Sequence, residues 1–267
     1  MDDQIFDLGG RVAVVVGGAS GLGQAIALGF ARHGADVAVA DINDAGAAST
    51  CEQIAALGRK SMAAHCDVSK PDDVAGFFAR VDETFGRVDI LLNAPFWFAR
   101  TKPEDLALDD WNKALAVCLT GYWLCCQAAG RRMIQSGTGG SIINISSIAG
   151  SLALGRGNLP YSVAKSGINQ MTRELATEWA KHNIRVNAIQ PAQTQSPVVK
   201  KWLSDPSTDP AFVAHLLKGI PMNRLGEPED MVGPAVFLAS RASAFVTGVL
   251  LPVDGGNLAL NAGGSHS

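Results

Sequence analysis

The strongest chemical signal in the sequence is a tyrosine and a lysine four residues apart. Tyr161 and Lys165 stand in the segment P-Y-S-V-A-K at the start of a predicted helix, so both side chains project from one face. A free phenol titrates near ~10 and is a poor base at neutral pH, but a neighbouring ammonium favours the phenolate and lowers its pKa. The pair therefore predicts a site at which Tyr161 exchanges a proton with a reacting hydroxyl group.

A serine pair indicates where a substrate would lie. Ser146 and Ser147 follow the apolar run I-I-N-I, a predicted strand. Open α/β sheets bind their ligands at the carboxyl ends of the strands, and a serine hydroxyl there can hold a substrate oxygen through a transition state. We therefore expect Ser147, Tyr161 and Lys165 to form one catalytic cleft.

A glycine-rich turn near the amino terminus predicts a dinucleotide site. Gly17, Gly21 and Gly23 lie between a predicted strand, 12–16, and a predicted helix, 22–33. Glycines let the backbone approach a pyrophosphate, and the helix directs its first N–H groups at the phosphates. An ordinary strand–helix turn is the alternative interpretation. The position of the glycines between strand and helix favours the dinucleotide.

An acidic residue at the end of the second predicted strand indicates which dinucleotide is bound. Asp41 comes about 20 residues after the glycine turn, where a carboxylate can accept hydrogen bonds from the adenosine ribose. The same charge would repel a 2′-phosphate, and its expected neighbours Ser20 and Ile42 supply no basic group. The sequence therefore favours NAD over NADP as cofactor.

Short aliphatic runs alternate with helix-length segments along the whole chain. Predicted strands cover 12–16, 37–40, 61–65, 90–92, 142–145, 186–189 and 249–253, and predicted helices cover 22–33, 45–57, 71–85, 109–136, 160–181 and 227–238. This order predicts a doubly wound α/β sheet with right-handed crossovers in a single domain, 1–267. Four prolines between 193 and 221 predict a loop-and-helix insertion, and we expect a disordered tail after about 260.

Composition and charge exclude several classes of protein. The 267 residues are 47% hydrophobic with a net charge of −3, and the clustered basic face that nucleic-acid partners need is missing. No apolar stretch is long enough for a membrane span, and the acidic start is unlike a secretory leader. The five cysteines have neither disulfide nor zinc spacing, so we expect reduced thiols, a cytoplasmic protein and no metal site.

Together these motifs resemble the short-chain dehydrogenase/reductase family over nearly the whole chain. The glycine turn, Asp41, C-D-V, I-N-I-S-S, Y-S-V-A-K, R-V-N-A-I-Q-P and V-D-G-G stand in the family's order. The resemblance implies a three-layer Rossmann fold with a seven-stranded, mostly parallel sheet, and a homotetramer assembled through the helices 109–136 and 160–181. It also implies the cofactor-binding residues Gly17, Ser20, Gly21, Leu22, Gly23, Asp41, Ile42, Asp67, Val68, Asn93, Ala94, Tyr161, Lys165, Pro191, Gln193 and Thr194.

Three segments depart from the family's pattern. Cys118 takes the place of an asparagine that helps to hold a water linking the lysine to solvent, and a thiol is a poor substitute for an amide. We therefore include Cys118 among the catalytic residues. The usual N-N-A-G reads N-A-P-F, so Phe96, Trp97 and Phe98 form either an aromatic wall around the substrate or a packing cluster. The segment P-A-Q-T has alanine where the family has glycine, which we expect to be tolerated.

The substrate is the least determined part of the site. We expect contacts from Phe96, Trp97, Arg156, Asn158, Gln193 and Lys200, and the polar and cationic character of the last four favours a sugar, polyol or hydroxy acid. The predicted activity is NAD(H)-dependent hydride transfer from a secondary alcohol. One alternative is a carbonyl or 3-oxoacyl-thioester reductase. Another is a catalytically weak dinucleotide-binding sensor or scaffold.

Overall fold

The computed structural model describes residues 4–205 and 209–260 and shows a seven-stranded sheet. The strands are β1 Val12–Val16, β2 Asp36–Asp41, β3 Ser61–His65, β4 Ile90–Asn93, β5 Gly140–Ile145, β6 Ile184–Pro191 and β7 Leu250–Val253. Their spatial order is β3-β2-β1-β4-β5-β6-β7, and every neighbouring pair is parallel. The predicted doubly wound sheet is confirmed, and it is parallel throughout rather than mostly parallel. The strand order reverses between β1 and β4, where such sheets bind ligands.

Helices cover both faces of the sheet. They are α1 Gly21–Arg32, α2 Asp44–Ala56, α3 Pro71–Phe85, α4 Leu108–Leu115, α5 Gly121–Ser136, α6 Leu159–Trp179, α7 Pro197–Leu203, α8 Pro210–Lys218 and α9 Val232–Ala239. The helix predicted over 109–136 is divided into α4 and α5 by a π-helical turn, Ala116–Thr120. Such turns are frequent at functional sites, and this one contains Cys118.

The core explains why the strands are apolar on both faces. Along β1, Ala13 and Val15 pack into the layer that contains Phe30 of α1, whereas Val14 and Val16 pack into the layer that contains Phe78 of α3. Side chains alternate between the two faces of a strand, so a strand between two helical layers must be hydrophobic at every position. This rigid centre fixes the carboxyl ends of β1, β4 and β5 relative to one another.

The predicted insertion contains two short helices, α7 and α8. The segment before α7 is tied to the segment before α9 by a parallel bridge between Thr194 and Gly226 and by the hydrogen bond from Gly226 N to Gln193 O, 2.9 Å. The tail predicted to be disordered lies largely outside the described residues. Across residues 4–205 and 209–260, no helix is both long and apolar enough to cross a bilayer, and no acidic, His or Cys cluster could hold a metal ion.

Candidate active site

A cavity of about 680 Å³ follows the carboxyl edge of the sheet, a size typical of ligand sites. Most of the residues that the sequence assigns to cofactor, substrate and catalysis line it. These are Gly17, Ser20, Gly21, Leu22, Gly23, Asp41, Ile42, Asp67, Val68, Ala94, Phe96, Trp97, Ser147, Tyr161, Lys165, Pro191, Gln193 and Thr194. The residues of that prediction which do not line the cavity are Asn93, Cys118, Arg156, Asn158 and Lys200.

The glycine turn leaves room that a side chain would fill. Gly17 has a φ of 80°, and a Cβ added to it would lie 2.7 Å from the carbonyl carbon of Ala94. Ser20 precedes α1 without a capping hydrogen bond from its side chain, and the first turn of α1 has no acidic residue. The first N–H groups of α1 are therefore available to an anion at the positive end of the helix. This geometry fits the pyrophosphate of a dinucleotide.

The carboxylate of Asp41 is fixed at the end of β2. Its Oδ2 accepts a hydrogen bond from Ala19 N and its Oδ1 accepts one from Asn43 N, both 3.0 Å. Each oxygen keeps a free lone pair, so the carboxylate can still accept hydrogen bonds from ribose hydroxyls. Ile42 beside it is 66% exposed and forms an apolar rim.

The catalytic residues come from β5 and α6. Ser147 is the second residue after the end of β5, and its Oγ accepts a hydrogen bond from Ala149 N, 3.1 Å. Pro160 lies in the first turn of α6, where its missing N–H costs nothing, so Tyr161 and Lys165 stand one turn apart on the same face. Lys165 Nζ lies 5.5 Å from the centroid of the Tyr161 ring. The structure thus brings the predicted serine, tyrosine and lysine together.

Burial is the largest influence on the pKa values of Tyr161 and Lys165 in the chain itself. Burial raises the pKa of Tyr161 above its ordinary value and outweighs the hydrogen bond with Ser147, which lowers it. Burial also lowers the pKa of Lys165 to about 8. Desolvation is the larger effect on both groups in this buried site. The prediction that Lys165 and a bound nicotinamide together lower the phenol pKa concerns the complex with cofactor and stays a prediction.

The lysine is held by a residue that the sequence analysis missed. Lys165 Nζ donates to Ile145 O, 2.7 Å, and to the hydroxyl of Tyr122, 3.0 Å. Tyr122 is fully buried, and its hydroxyl lies 3.0 Å from both Pro95 O and Ile145 O. The available signal was a tyrosine one helical turn after Cys118, on the same face of the long helix.

The contacts of Cys118 differ from the role that the family resemblance implies for this position. Its Sγ lies 3.4 Å from both Trp97 N and Trp97 O, so the thiol accepts one hydrogen bond from the main chain and donates another. The thiol is fully buried, and burial raises its pKa while the charge of Lys165 lowers it. Cys118 therefore fixes the segment that carries Trp97, and Tyr122 supplies the side-chain partner of Lys165.

Aromatic side chains of the N-A-P-F-W-F segment pack around Tyr161. The ring centroids of Phe96 and Phe98 each lie 5.7 Å from that of Tyr161 in edge-to-face contact, and the two phenylalanine rings stack at 6.1 Å. Phe96 and Trp97 also line the cavity, and Phe96 is 55% exposed. The segment therefore both packs on the tyrosine and borders the cleft.

Three other predicted contacts have partners away from the cavity. The Asn93 side chain is fully buried, and its amide donates to Asn144 Oδ1, 3.0 Å, which joins β4 to β5. Asn158 donates to Ser162 Oγ, 2.8 Å, at the start of α6. Lys200 forms an ion pair with Glu227, 3.6 Å. The structure does not bring these side chains to the cleft.

Arg156 reaches the cleft through a second residue. With the Gln193 amide assigned so that its oxygen faces Arg156, the orientation that satisfies both groups, the guanidinium donates to that oxygen at 2.7 and 3.2 Å. Gln193 lines the cavity. The loop that carries Arg156 is joined to the segment after Phe98 by the hydrogen bond from Thr101 N to Gly157 O, 2.9 Å. Burial lowers the pKa of Arg156, and the charge of Arg100 lowers it further.

Comparisons with known proteins agree with this geometry. Residues 17–257 match the family model described as enoyl-(acyl carrier protein) reductase. The chain is 39% identical to the 2-dehydro-3-deoxy-D-gluconate 5-dehydrogenase of Escherichia coli K12, over 95% of this chain and 98% of the relative. It is 38% identical to the D-threitol dehydrogenase of Mycolicibacterium smegmatis, over 94% of each chain.

A solved structure shows the same likeness. The gluconate 5-dehydrogenase from Burkholderia cenocepacia J2315, in complex with NADP and tartrate, superposes with a TM-score of 0.90 at 31% identity, covering 97% of this chain and 99% of that one. The chain belongs to the short-chain dehydrogenase/reductase family. It is an oxidoreductase of that family that acts on CH–OH donors with a nicotinamide dinucleotide.

Proposed function

We propose that the chain transfers hydride between a secondary alcohol and NAD(H), with Tyr161 as general acid and base, on a sugar, polyol or hydroxy acid. The observation that carries the proposal is one cavity that joins two sets of groups. Ser147, Tyr161 and Lys165 line one end, and Gly17 and Asp41 line the other. A dinucleotide bound along this edge would place its nicotinamide beside the catalytic residues.

Each catalytic residue has a separate task in this reaction. The Ser147 hydroxyl binds the substrate oxygen, and the Tyr161 hydroxyl takes the alcohol proton in oxidation or gives it to a ketone in reduction. The ammonium of Lys165 supplies positive charge beside the phenol. When bound, the nicotinamide supplies the hydride acceptor and, in its oxidised form, further positive charge near the phenol.

Asp41 supports NAD as the preferred cofactor. Its carboxylate is held by Ala19 N and Asn43 N, so it cannot turn away from the ribose without losing both hydrogen bonds. A 2′-phosphate there would meet this negative charge at close range. The Burkholderia relative was crystallised with NADP, so the proposed preference rests on this chain's own carboxylate.

Arg156 and Gln193 support a substrate that carries a carboxylate. Among the described residues, no carboxylate lies within ion-pair distance of Arg156, which instead donates to Gln193. An anionic group of the substrate could accept from the guanidinium in place of the amide, and charged hydrogen bonds of this kind are strong. Phe96 and Trp97 would border the carbon skeleton. A hydroxy acid or sugar acid is therefore our preferred substrate class.

Replacing Arg156 tests this substrate class. We expect Arg156→Gln to raise the KM for a hydroxy acid by about tenfold, the value of one charged hydrogen bond, and to leave the KM for a neutral polyol unchanged. Arg131→Gln removes the same charge from an exposed position on α5 and serves as the control. An equal rise in KM for acid and polyol would contradict recognition of a carboxylate.

Reduction of a carbonyl or a 3-oxoacyl thioester is a second candidate function. One observation favours it: burial raises the pKa of Tyr161 and keeps the phenol protonated, which suits donation to a ketone oxygen. Asp41 argues against it, because biosynthetic reductases usually use NADPH. The ratio of rates with NADH and NADPH separates the two functions.

A substrate screen tests the proposed function directly. We would follow NAD and NADP reduction with sugars, sugar acids, polyols and hydroxy acids, and NADH and NADPH oxidation with ketones and keto thioesters, with Ser147→Ala in parallel wells. The proposal expects turnover with NAD for at least one of these classes and a loss of about 100-fold in kcat in the variant. Turnover of keto thioesters with NADPH alone would support the second candidate. Dinucleotide binding without turnover of any alcohol or ketone would contradict the enzymatic assignment.

Assembly and location are also proposals. Leu108, Trp123, Leu159 and Val163 are large apolar residues exposed on α4, α5 and α6, and they support a homotetramer built through the segments 109–136 and 160–181. The molar mass by light scattering would test it. All five cysteines are free thiols, which supports a reducing, cytoplasmic location.

A further inference from the structure

The buried ammonium of Lys165 has most of its hydrogen-bonding capacity already used. An ammonium has three N–H donors, and two of them go to Ile145 O at 2.7 Å and to the Tyr122 hydroxyl at 3.0 Å. Lys165 is 2% exposed. These two acceptors therefore fix the position of the ammonium, whose Nζ lies 5.5 Å from the centroid of the Tyr161 ring.

The Tyr122 hydroxyl can accept from the lysine only if its own proton goes elsewhere. It lies 3.0 Å from Pro95 O and 3.0 Å from Ile145 O. Ile145 O already receives the shorter bond from Lys165, so Pro95 O is the natural acceptor for the phenol proton. A carbonyl has no proton to pass on, which means that this phenol can hold the ammonium without extending a proton chain.

Cys118, which stands where the family pattern has asparagine, already uses its thiol in other hydrogen bonds. The thiol of Cys118 exchanges hydrogen bonds with the main chain of Trp97 at 3.4 Å. Tyr122 follows Cys118 by one turn, and the π-helical turn Ala116–Thr120 lies directly before the helix that carries it. The phenol reaches the lysine from the same side of the helix.

From these contacts we propose that Tyr122 is a positioning residue for the hydride-transfer site. Its hydroxyl, anchored on Pro95 O, contacts and fixes the ammonium of Lys165 directly, whereas the asparagine that the family pattern puts at Cys118 helps to hold a water beside the lysine. The inference rests on the proposed function, because it matters only if Lys165 supports proton transfer by Tyr161. The inference adds Tyr122, as a positioning residue, to the catalytic residues Ser147, Tyr161 and Lys165.

The titration of Lys165 gives a direct readout of this contact. The titratable groups that face the lysine are Tyr161 on its own helix, Tyr122 on α5 and Cys118 in the π-helical turn. The wild-type lysine is expected to titrate at about 8. Loss of the phenol oxygen removes an acceptor from the charged form, so the pKa should fall further.

The test is an NMR titration of lysine ¹⁵Nζ resonances, with the Lys165 signal assigned from its absence in Lys165→Met. We expect Tyr122→Phe to lower the midpoint by about one unit, the usual effect of one hydrogen bond to a charged group. Cys125→Ala, a change of a fully buried residue on the same helix, is the matched control and should leave the midpoint unchanged. If Tyr122→Phe does not fold, 3-fluorotyrosine at position 122, a weaker acceptor, should give a smaller fall.

The outcome separates this inference from the proposed function. A midpoint equal to that of the wild type in Tyr122→Phe, or in the fluorotyrosine protein, would overturn the role of Tyr122, whatever the activity. With an active wild type, we also expect kcat of Tyr122→Phe to fall by about tenfold at an unchanged KM. A lowered midpoint in a protein that turns over no alcohol or ketone would support the contact and contradict the proposed function.

Discussion

The two ends of the cleft depend on different kinds of group, main-chain groups at one end and side chains at the other. At the nucleotide end, main-chain geometry carries the site: Gly17, the first turn of α1, and Asp41, which two backbone amides hold. At the catalytic end, the site depends on two side chains from distant segments: Lys165 donates to the Tyr122 hydroxyl, which in turn contacts the main-chain carbonyl of Pro95. A site formed by local backbone can be recognised from a sequence motif. Contacts between side chains that are distant in sequence can be made by other residue types, so a motif does not reveal them.

The largest effect is expected at the nucleotide end, from Gly17→Ala. A Cβ there meets the main chain of Ala94 at 2.7 Å, at a φ of 80°, so the turn must shift away from the phosphates. We expect NADH affinity, measured by fluorescence titration, to fall by about 100-fold.

Gly58→Ala is the matched control for this change. Gly58 has a φ of 75° but nothing within 4 Å of an added Cβ, so the substitution costs backbone strain of about 1 kcal/mol without a clash. Its NADH affinity should equal that of the wild type. Equal affinities in Gly17→Ala and the wild type would show that the glycine turn does not bind the cofactor.

A smaller effect is expected from Asp41→Asn, which keeps the shape and removes the charge. The NAD-to-NADP ratio of kcat/KM should fall by about tenfold, because the 2′-phosphate no longer meets a carboxylate. Asp44→Asn removes a charge three residues away on an exposed side chain and should leave the ratio unchanged. A ratio that does not move in Asp41→Asn would refute the cofactor preference.

At the catalytic end, pH should change the rate of ketone reduction by at most tenfold per unit. Burial lowers the pKa of Lys165 to about 8 and raises that of Tyr161, so the ammonium is present below about pH 8 and is lost above it while the phenol stays protonated. We expect reductive kcat/KM to decrease above about pH 8, because the ammonium that supports proton donation by Tyr161 is lost there. A reductive profile that stays flat to pH 10 would show that the charge of Lys165 is not required.

The same contrast explains what the sequence could predict. The seven strands, the glycine turn, and the grouping of Ser147 with Tyr161 and Lys165 follow from local patterns and strand order, and the structure shows all of them. The hydrogen-bond partners of Lys165 do not follow from such local patterns. Tyr122 and Lys165 are 43 residues apart, and their contact depends on how α5 and α6 pack around β5.

Two further features of the site could not be predicted from the sequence, because they also depend on packing between distant segments. Nothing local indicated that the amide of Asn93 would bond to Asn144, 51 residues away, rather than face the cleft. The direction of the Tyr161 pKa was also beyond the sequence, because it depends on how completely the folded chain removes the phenol from water.

The most direct test of the proposed reaction is Tyr161→Phe, measured for turnover and for NADH affinity in the same preparation. The substitution keeps the ring that contacts Phe96 and Phe98 and removes only the hydroxyl. We predict a loss of at least about 100-fold in kcat with NADH affinity within about threefold of the wild type. Turnover equal to that of the wild type would contradict proton transfer by Tyr161.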